Sequence, residues 1–170
     1  MKTLKLTAKD FKKSTSYWKD YIGKEDVSDF QGHIEIEGNL SYVRFEKLKA
    51  LGHIWAEAGT GIKAGEGIEA GEGIKAGTGI KAGWGIEAGW SIKCKFTLCI
   101  GLRIFAGLCL WRTPTQDELL IECGKLEKGE VCYGTLKEIG MPEEEKPEVS
   151  LKGKTVEVTL YGKTYTAVIQ

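Results

Sequence analysis

The pattern of apolar and polar residues in the middle of the chain repeats every six positions. Residues 61–96 form six hexads, GIKAGE GIEAGE GIKAGT GIKAGW GIEAGW SIKCKF. An Ile at every sixth position would move around the surface of an α-helix, and glycine does not recur at every third residue as collagen requires. A large apolar residue, an Ala and two Gly in most hexads are typical of a chain that winds around a narrow core. The repeat therefore predicts an all-β fold, a hexapeptide-repeat β-solenoid.

The six-residue spacing of large apolar residues extends beyond the glycine-rich part. Towards the N terminus the phase slips by two residues around Ala56 and then resumes, whereas towards the C terminus it continues without a slip. The positions that these extensions predict to face the core are Ile54, Leu48, Tyr42, Ile36, Leu98, Ile104 and Leu110. We therefore expect the solenoid to occupy residues 36–112.

Each hexad divides into residues that face the core and residues that face outward. The Ile and the Ala are two positions apart, so they share one side of an extended strand, and the Lys or Glu between them points to the other side. Glycines flank the remaining variable position, and their tolerance of positive φ predicts a corner of the coil there. The variable residue is then expected to be exposed at that corner.

A longer period of eighteen residues predicts three faces per coil. The outward charges run Lys, Glu, Lys and then repeat, and the corner residues Glu66, Glu72 and Thr78 are followed eighteen positions later by aromatic residues. Stacking at this period places Lys63 over Lys81, and like charges at that spacing are mildly unfavourable. A two-faced coil of twelve residues would mix the signs and stays an alternative. We favour three faces because exposed charges are screened cheaply.

The flanking segments predict caps. Thr7 to Asp10 has the T-x-x-D form of a helix start, so residues 1–35 are expected to hold an N-terminal cap with an amphipathic α-helix, a lid over the first coil or a partner surface. Residues 113–170 are expected to form a C-terminal β-hairpin region. Its first hairpin joins 119–123 to 131–136 through a turn at Gly129, its second spans 155–169, and an acidic linker covers 141–150.

Composition excludes several classes of function. The chain has 24 basic and 24 acidic residues among 170, so it lacks the basic excess expected of a nucleic-acid-binding protein. No apolar run approaches membrane-spanning length, and Met1 to Asp10 has no apolar segment typical of a signal peptide, so a cytoplasmic location, in a host cell, is expected and a membrane partner is not. The five cysteines form no C-x-x-C pair and are expected to be reduced core thiols: Cys94, Cys99, Cys109, Cys123 and Cys132.

Motifs of known chemistry are missing from the sequence. It contains no P-loop, no G-x-S-x-G, no H-E-x-x-H and no Cys/His spacing typical of a metal site. The two histidines, His33 and His53, lie outside the regular hexads. Ice binding usually needs rows of Thr, whereas Lys and Glu occupy the outward positions here. We therefore predict no catalytic residue, no metal and no cofactor.

Aromatic residues at the corners are the feature that a purely structural interpretation explains least well. Exposed tryptophans are unfavourable in water and are enriched at interfaces. They could pack under the C-terminal hairpins, form a homodimer contact or bind another protein, and these alternatives stay open. The residues predicted to bind a partner are Trp84, Trp90, Phe96, Glu66 and Glu72.

The hexads resemble the hexapeptide repeat of left-handed β-helix proteins over residues 36–110. The order differs, because here the aliphatic residue precedes the small residue by two positions. The resemblance implies a left-handed, three-sided coil, and the best-known enzymes of that family are acyltransferases with a histidine beside the prism. The AG-x-GI array followed by the segment 101–111, GLRIFAGLCLW, is also similar to small uncharacterised phage and prophage proteins of Firmicutes.

These observations together favour a non-enzymatic protein that acts by protein-protein contact. The phage resemblance implies an inhibitor of a bacterial defence component, an anti-CRISPR-like protein whose partner is a host protein such as a CRISPR effector. A hexapeptide-repeat acyltransferase-like enzyme and a purely structural, self-assembling solenoid are the alternatives. Binding of acyl-CoA would favour the enzyme, and concentration-dependent light scattering would favour self-assembly.

Overall fold

The fold is all-β, with parallel sheets. The computed structural model describes residues 1–109 and 111–141, and the backbone of two strands at 155–160 and 163–168. The strands before the repeat are β1 (Lys2–Leu6), β2 (Phe11–Lys13), β3 (Trp18–Tyr21), β4 (Gly32–Ile36), β5 (Ser41–Phe45), β6 (Leu48–Ala50) and β7 (Ile54–Ala56). Those of the repeat are β8 (Thr60–Ala64), β9 (Ile68–Ala70), β10 (Ile74–Ala76), β11 (Ile80–Ala82), β12 (Ile86–Ala88) and β13 (Ile92–Cys94). The remaining strands are β14 (Thr97–Ala106), β15 (Leu120–Cys123), β16 (Lys125–Tyr133), β17 (Thr135–Glu138), β18 (Thr155–Leu160) and β19 (Lys163–Val168).

In the repeat, each short strand from β8 to β12 pairs in parallel with the strand eighteen residues further along the chain. Ile62 pairs with Ile80, and Ile80 in turn pairs with Leu98. The next strand follows the same rule, since Ile68 pairs with Ile86. A seven-stranded sheet, β1-β4-β7-β10-β13-β15-β17, forms one row of strands, and a ten-stranded sheet forms the other two, joined by the long strand β14. The eighteen-residue period is confirmed, with Lys63 paired to Lys81 and Glu69 to Glu87.

The Ile and Ala of the hexads form the core, with Cys94 in place of Ala in the last hexad. Ile62, Ile68, Ile80, Ile86 and Ile92 are all fully buried. The intervening Lys or Glu is partly or fully exposed in every hexad, so the predicted division is confirmed. Burial of each Ile side chain contributes about 1.5–3 kcal/mol, which offsets part of the entropy lost in ordering a glycine-rich chain.

The glycines of the repeat are needed for a different reason from the predicted one. Residues 61–96 are all described, and none of their glycines has a positive φ. From the second hexad onward, the glycine after the Ala instead lies close to the coil below: a Cβ on Gly83 would be 1.9 Å from the carbonyl oxygen of Gly65, and one on Gly89 would be 1.9 Å from that of Gly71. The corners are therefore tight because adjacent coils approach closely, and a side chain at this position would push them apart.

The coils before the repeat are longer than eighteen residues. Ile34 pairs with Ile54, and Ile54 with Ile74, so each of these steps spans twenty residues and the predicted two-residue slip is confirmed. The core residue predicted at Tyr42 is wrong by one position, because Tyr42 is only half-buried and Val43 is the fully buried residue that pairs with Ile62. Leu110 lies outside the described residues.

The predicted N-terminal helix is wrong. The Thr7–Asp10 capping box is present, yet it opens only one 3-10 turn at Ala8–Asp10. The chain then forms β2 and β3, which pair antiparallel, and β3 continues in parallel onto β5. The segment predicted to be helical contains Phe11, Trp18 and Tyr21, and aromatic residues favour strands. Phe11 packs edge-on against the rings of Tyr21 and Phe45, at 5.8 Å in both cases.

The first predicted C-terminal hairpin is also wrong, because strands after Pro114 continue the parallel ladders. β15 joins the seven-stranded sheet, with Ile121 paired to Ile92, and β17 pairs in parallel with β15. The expected turn at Gly129 is instead part of β16, which pairs in parallel with β14 through several register shifts. Gly129 does have a positive φ of 121°. Burial of Ile121 and Cys123 in the core favours this arrangement over a separate hairpin.

The second predicted C-terminal hairpin is confirmed as a pair of strands. β18 and β19 are antiparallel, with Thr155 paired to Val168 and Leu160 to Lys163. The predicted acidic linker, apart from Met141, lies outside the described residues.

Candidate binding surface

The corner residues predicted to bind a partner fall into three separate columns. The backbone N–H of Trp84 donates to the carbonyl of Glu66 at 3.0 Å, and that of Trp90 donates to Glu72 at 3.2 Å. The N–H of Phe96 donates to Thr78 at 2.9 Å in the third column. Each aromatic residue is therefore stacked on the residue eighteen positions earlier. Trp84 precedes β12 in the chain and Trp90 follows it, so the two residues lie at different corners.

The first corner is the column of Glu66, Trp84 and Leu102, and it is exposed and apolar at its C-terminal end. Trp84 is 60% exposed, and the backbone N–H of Leu102 donates to its carbonyl at 2.6 Å, so Leu102 follows it in the column. Leu102 is also exposed, whereas Glu66 below them is half-buried. The structure therefore leaves the Trp84 side chain accessible to a partner.

The second corner, which holds Trp90, borders an open groove with a cavity volume of about 600 Å³. Trp90 is 36% exposed and Trp111, at the groove's edge, is 75% exposed. Charged side chains line the face beside it. The groove is lined by residues that include Met1, Lys49, Leu51, Glu69, Glu72, Glu87, Trp90, Leu108 and Trp111. Sequence analysis identified Trp90 and Glu72 and missed Leu51, Leu108 and Trp111, since the groove depends on which coils are adjacent.

The third corner is less accessible than the other two. Phe96 is half-buried, and the ammonium group of Lys95 lies 5.6 Å from the centre of its ring. A cation over an aromatic face is a favourable contact. Phe96 is therefore the least exposed of the three predicted aromatic residues.

Another cleft, with a volume of about 860 Å³, lies near the N-terminal end and contains an ion pair. Nε and Nη2 of Arg44 each donate to one carboxylate oxygen of Asp20 at 2.7 Å. This two-point contact with the guanidinium lowers the pKa of Asp20 below its ordinary value. Both groups already have a partner, which makes the pair a structural connection between β3 and β5.

Four polar side chains from different coils gather beside the second corner. The rings of His33 and His53 are stacked with their centres 4.2 Å apart. Oε2 of Glu72 lies 3.6 Å from Nδ1 of His33 and 3.5 Å from Nδ1 of His53. Oε1 of Glu35 lies 3.4 Å from Nε2 of His53. Glu72 was expected on an exposed corner, yet its carboxylate folds towards the histidines.

Sequence analysis missed this cluster because motif spacings within one strand or helix do not apply to it. His33 and His53 are twenty residues apart, which is the length of the coil that the two-residue slip creates. That separation was the available signal. It becomes meaningful only when the slip is recognised as adding residues to a coil.

The cysteines are all free thiols and differ in their environment. Cys94 and Cys123 are buried, whereas Cys132 is exposed and the other two are half-buried. Burial raises the pKa of Cys94 to about 12 and that of Cys123 to about 11. These two thiols stay protonated near neutral pH, so they act as apolar core residues and not as nucleophiles. The expectation of core thiols holds for these two.

Comparison with known proteins gave no match: no family model, no curated protein and no solved structure is significantly similar to the chain. Across the described ranges, no helix has the length and apolar character needed to cross a bilayer.

Proposed function

We propose that the protein is a three-sided β-solenoid that works as a binding module for another protein. The solenoid is supported by the strand register, in which three successive short strands are followed by a fourth that pairs with the first. The left-handed coiling implied by the hexapeptide resemblance belongs to the same proposal. A rigid scaffold of this kind presents side chains from successive coils at fixed spacing on its outer surface.

The observation that carries the binding function is the apolar groove at the second corner. Trp90, Leu51, Leu108 and Trp111 present large apolar side chains to solvent around a single concave surface. Exposed apolar patches rimmed by charged residues are typical of protein-binding sites, and Trp is enriched among residues that dominate binding energy. Lys49, Glu69 and Glu87 supply the charged rim.

The partner class follows from the phage resemblance of the sequence. A phage- or prophage-encoded inhibitor would block a bacterial defence component, such as a CRISPR effector, by occupying one of its surfaces. The proposal requires no catalytic residue in this chain. It requires a contact surface that excludes water, which the groove offers.

The test is a comparison of two tryptophans at equivalent repeat positions. Tagged wild type, Trp90→Ala and Trp84→Ala are used to capture proteins from a bacterial lysate, and candidates are identified by mass spectrometry and remeasured as purified partners. We expect Trp90→Ala to weaken binding of a defence protein at least tenfold, since hot-spot truncations cost about 2 kcal/mol or more. Trp84→Ala, on the other corner, should bind as wild type does.

Two results would contradict the proposal. The first is an unchanged affinity for every captured partner in a Trp90→Ala/Trp111→Ala double variant. The second is light scattering that shows self-association which Trp90→Ala abolishes, because the groove would then be a contact between copies of the chain.

A further inference from the structure

The cluster of His33, His53 and Glu72 brings together three potential metal ligands from three successive coils. Strand pairing places the histidines in register, since Ile34 pairs with Ile54 directly after them. The backbone N–H of Glu72 donates to the carbonyl of Gly52 at 3.3 Å, which aligns the third coil. The backbone ladder thus fixes the relative positions of all three residues.

A glycine provides the space that the cluster occupies. A Cβ on Gly52 would lie 2.1 Å from Nδ1 of His33, so any larger residue at this position would displace the imidazole. The side chains are only partly accessible, at 18% for His33, 32% for His53 and 22% for Glu72. Each of the three side chains therefore keeps some contact with solvent.

Hydrogen bonds around the cluster indicate which nitrogen atoms carry protons. The backbone N–H of His53 donates to Nδ1 of His33 at 3.1 Å, which requires that nitrogen to be unprotonated. Oε1 of Glu35 lies 3.4 Å from Nε2 of His53, so in the tautomer with its proton on Nε2 the ring donates to this carboxylate and Nδ1 of His53 has a free lone pair. In that tautomer both Nδ1 atoms lie within 3.6 Å of Oε2 of Glu72, and one ligand atom from each of the three residues lies within 4.8 Å of the others.

We propose that His33, His53 and Glu72 form a binding site for a divalent transition metal ion of the zinc class. Ligands held about 2.0–2.1 Å from a tetrahedral ion are about 3.3 Å apart, close to the 3.5 and 3.6 Å observed between the carboxylate oxygen and the two nitrogens. Two imidazoles and one carboxylate suit Zn²⁺, whereas Mg²⁺ and Ca²⁺ prefer oxygen ligands only.

The coordination leaves a fourth position for water or for an atom of another molecule. Glu35 is the positioning residue, because its carboxylate orients the ring of His53 as outer-shell carboxylates do in zinc proteins. Nδ1 of His33 must exchange its amide hydrogen bond for the ion. Binding is therefore weaker than at a closed site with four protein ligands.

The experiment is a calorimetric titration of full-length, chelator-treated protein with Zn²⁺ and, separately, with Mg²⁺. We expect one Zn²⁺ per chain, and Mg²⁺ should bind far more weakly. His53→Gln and Glu72→Gln should each lower Zn²⁺ affinity by at least about tenfold, since even outer-shell changes have effects of that size. Glu66→Gln is the matched control: it changes the same repeat position on a corner without histidines and should leave affinity unchanged.

A second measurement separates this site from the five cysteines. The absorption spectrum of the Co²⁺-loaded protein distinguishes nitrogen and oxygen ligands from thiolates, and we expect no thiolate band. Circular dichroism confirms that each variant is folded, and Glu72→Gln keeps the side-chain shape if His53→Gln does not fold. Equal Zn²⁺ affinity in wild type and Glu72→Gln, or a thiolate spectrum that both share, would overturn the proposal.

Discussion

The repeat coils and the longer coils that precede them are held together in different ways. Between residues 61 and 96, side chains make few hydrogen bonds to the described residues: the thiol of Cys94 donates to the carbonyl of Thr97, and Lys49 of a longer coil donates to Glu69 at 3.1 Å. The longer coils instead use polar side chains at their irregular corners. Glu57 accepts the backbone N–H of Gly38 at 2.7 Å, and Thr60 accepts that of Leu40 at 2.8 Å.

The difference has a physical cause. Each regular coil places its backbone groups in parallel ladders, so the side chains are needed only to fill the core. An inserted residue takes the chain out of the ladder, and its buried N–H and C=O groups then need other partners. Polar side chains that can form hydrogen bonds or bind a ligand occur at the irregular coils for the same reason, and His33 and His53 are among them. The repeat specifies shape, and its interruptions supply polar groups.

The strongest way to test this comparison is to add one methyl group at the same hexad position in two places, one stacked on a regular coil and one stacked on a longer coil. Gly83→Ala should destabilise the protein by about 3 kcal/mol or more, because the new Cβ would lie 1.9 Å from the carbonyl oxygen of Gly65 and the coils would have to separate. Gly65 occupies the same hexad position one coil earlier, next to the longer coil, and a Cβ there meets nothing closer than 3.5 Å.

Gly65→Ala should therefore be neutral, or stabilising by about 0.4–1 kcal/mol through the lower entropy of the unfolded chain. Urea unfolding followed by circular dichroism measures both variants. Equal stabilities for Gly83→Ala and Gly65→Ala would show that the regular corners tolerate separation of the coils, contrary to the close approach described above.

A smaller effect is expected from two threonines stacked one coil apart. Thr60 is fully buried, and its hydroxyl donates to the carbonyl of Gly38 at 2.6 Å while accepting the N–H of Leu40. Thr60→Val keeps the shape, leaves both backbone groups unsatisfied and should cost about 1–2 kcal/mol. The hydroxyl of Thr78, in the same column but inside the repeat, is buried without a hydrogen-bond partner among the described residues.

Thr78→Val should be neutral or slightly stabilising, because it removes a hydroxyl that is desolvated without compensation. Thermal unfolding of the two single variants and of the double variant decides the matter. If Thr78→Val is as destabilising as Thr60→Val, the hydroxyl in the repeat has a partner and the contrast between the two regions fails.

Sequence information was sufficient for the regular part of the fold and insufficient for the irregular part. The eighteen-residue pairing and the inward Ile follow directly from a strict period, so they could be predicted. The apolar pattern around Phe11 and Trp18 was compatible with a helix as well as with strands. The strand form is favoured because β3 pairs with an edge of β5, and that pairing could not be seen in the sequence. The strands after Pro114 could not be placed, because the loop between β14 and β15 adds residues to a coil without leaving a period to follow.

The binding surface shows the same division. Trp84 and Trp90 could be identified as exposed from their hexad position, and both are. Their separation onto two corners also follows from the eighteen-residue pairing, in which successive corner residues belong to different columns. Leu51 and Trp111 could not be assigned to the groove with Trp90, since that requires knowing how the irregular segments pack against the repeat.

The smallest expected effect is a pH dependence that originates in an inserted segment. In the loop between β14 and β15, Arg112 binds the carboxylate of Glu118, with Nη1 2.7 Å from Oε2, and the N–H of Thr115 donates to the same oxygen at 2.8 Å. These contacts, the guanidinium first, lower the pKa of Glu118 from its ordinary value of 4.5 to about 2. A lowered pKa in the folded state means that the folded protein binds the proton less readily than the unfolded chain does. The resulting stabilisation is fully present above about pH 4.5 and is lost as the pH falls towards 2.

The difference in unfolding free energy between wild type and Glu118→Gln should therefore be constant near neutral pH and shrink over that interval. Arg112→Gln should remove most of this dependence, and added salt should weaken it because the pair is near the surface. A difference that stays constant down to pH 2 would show that the loop is not held by this ion pair, and polar support of the inserted segments would then be limited to the coils before the repeat.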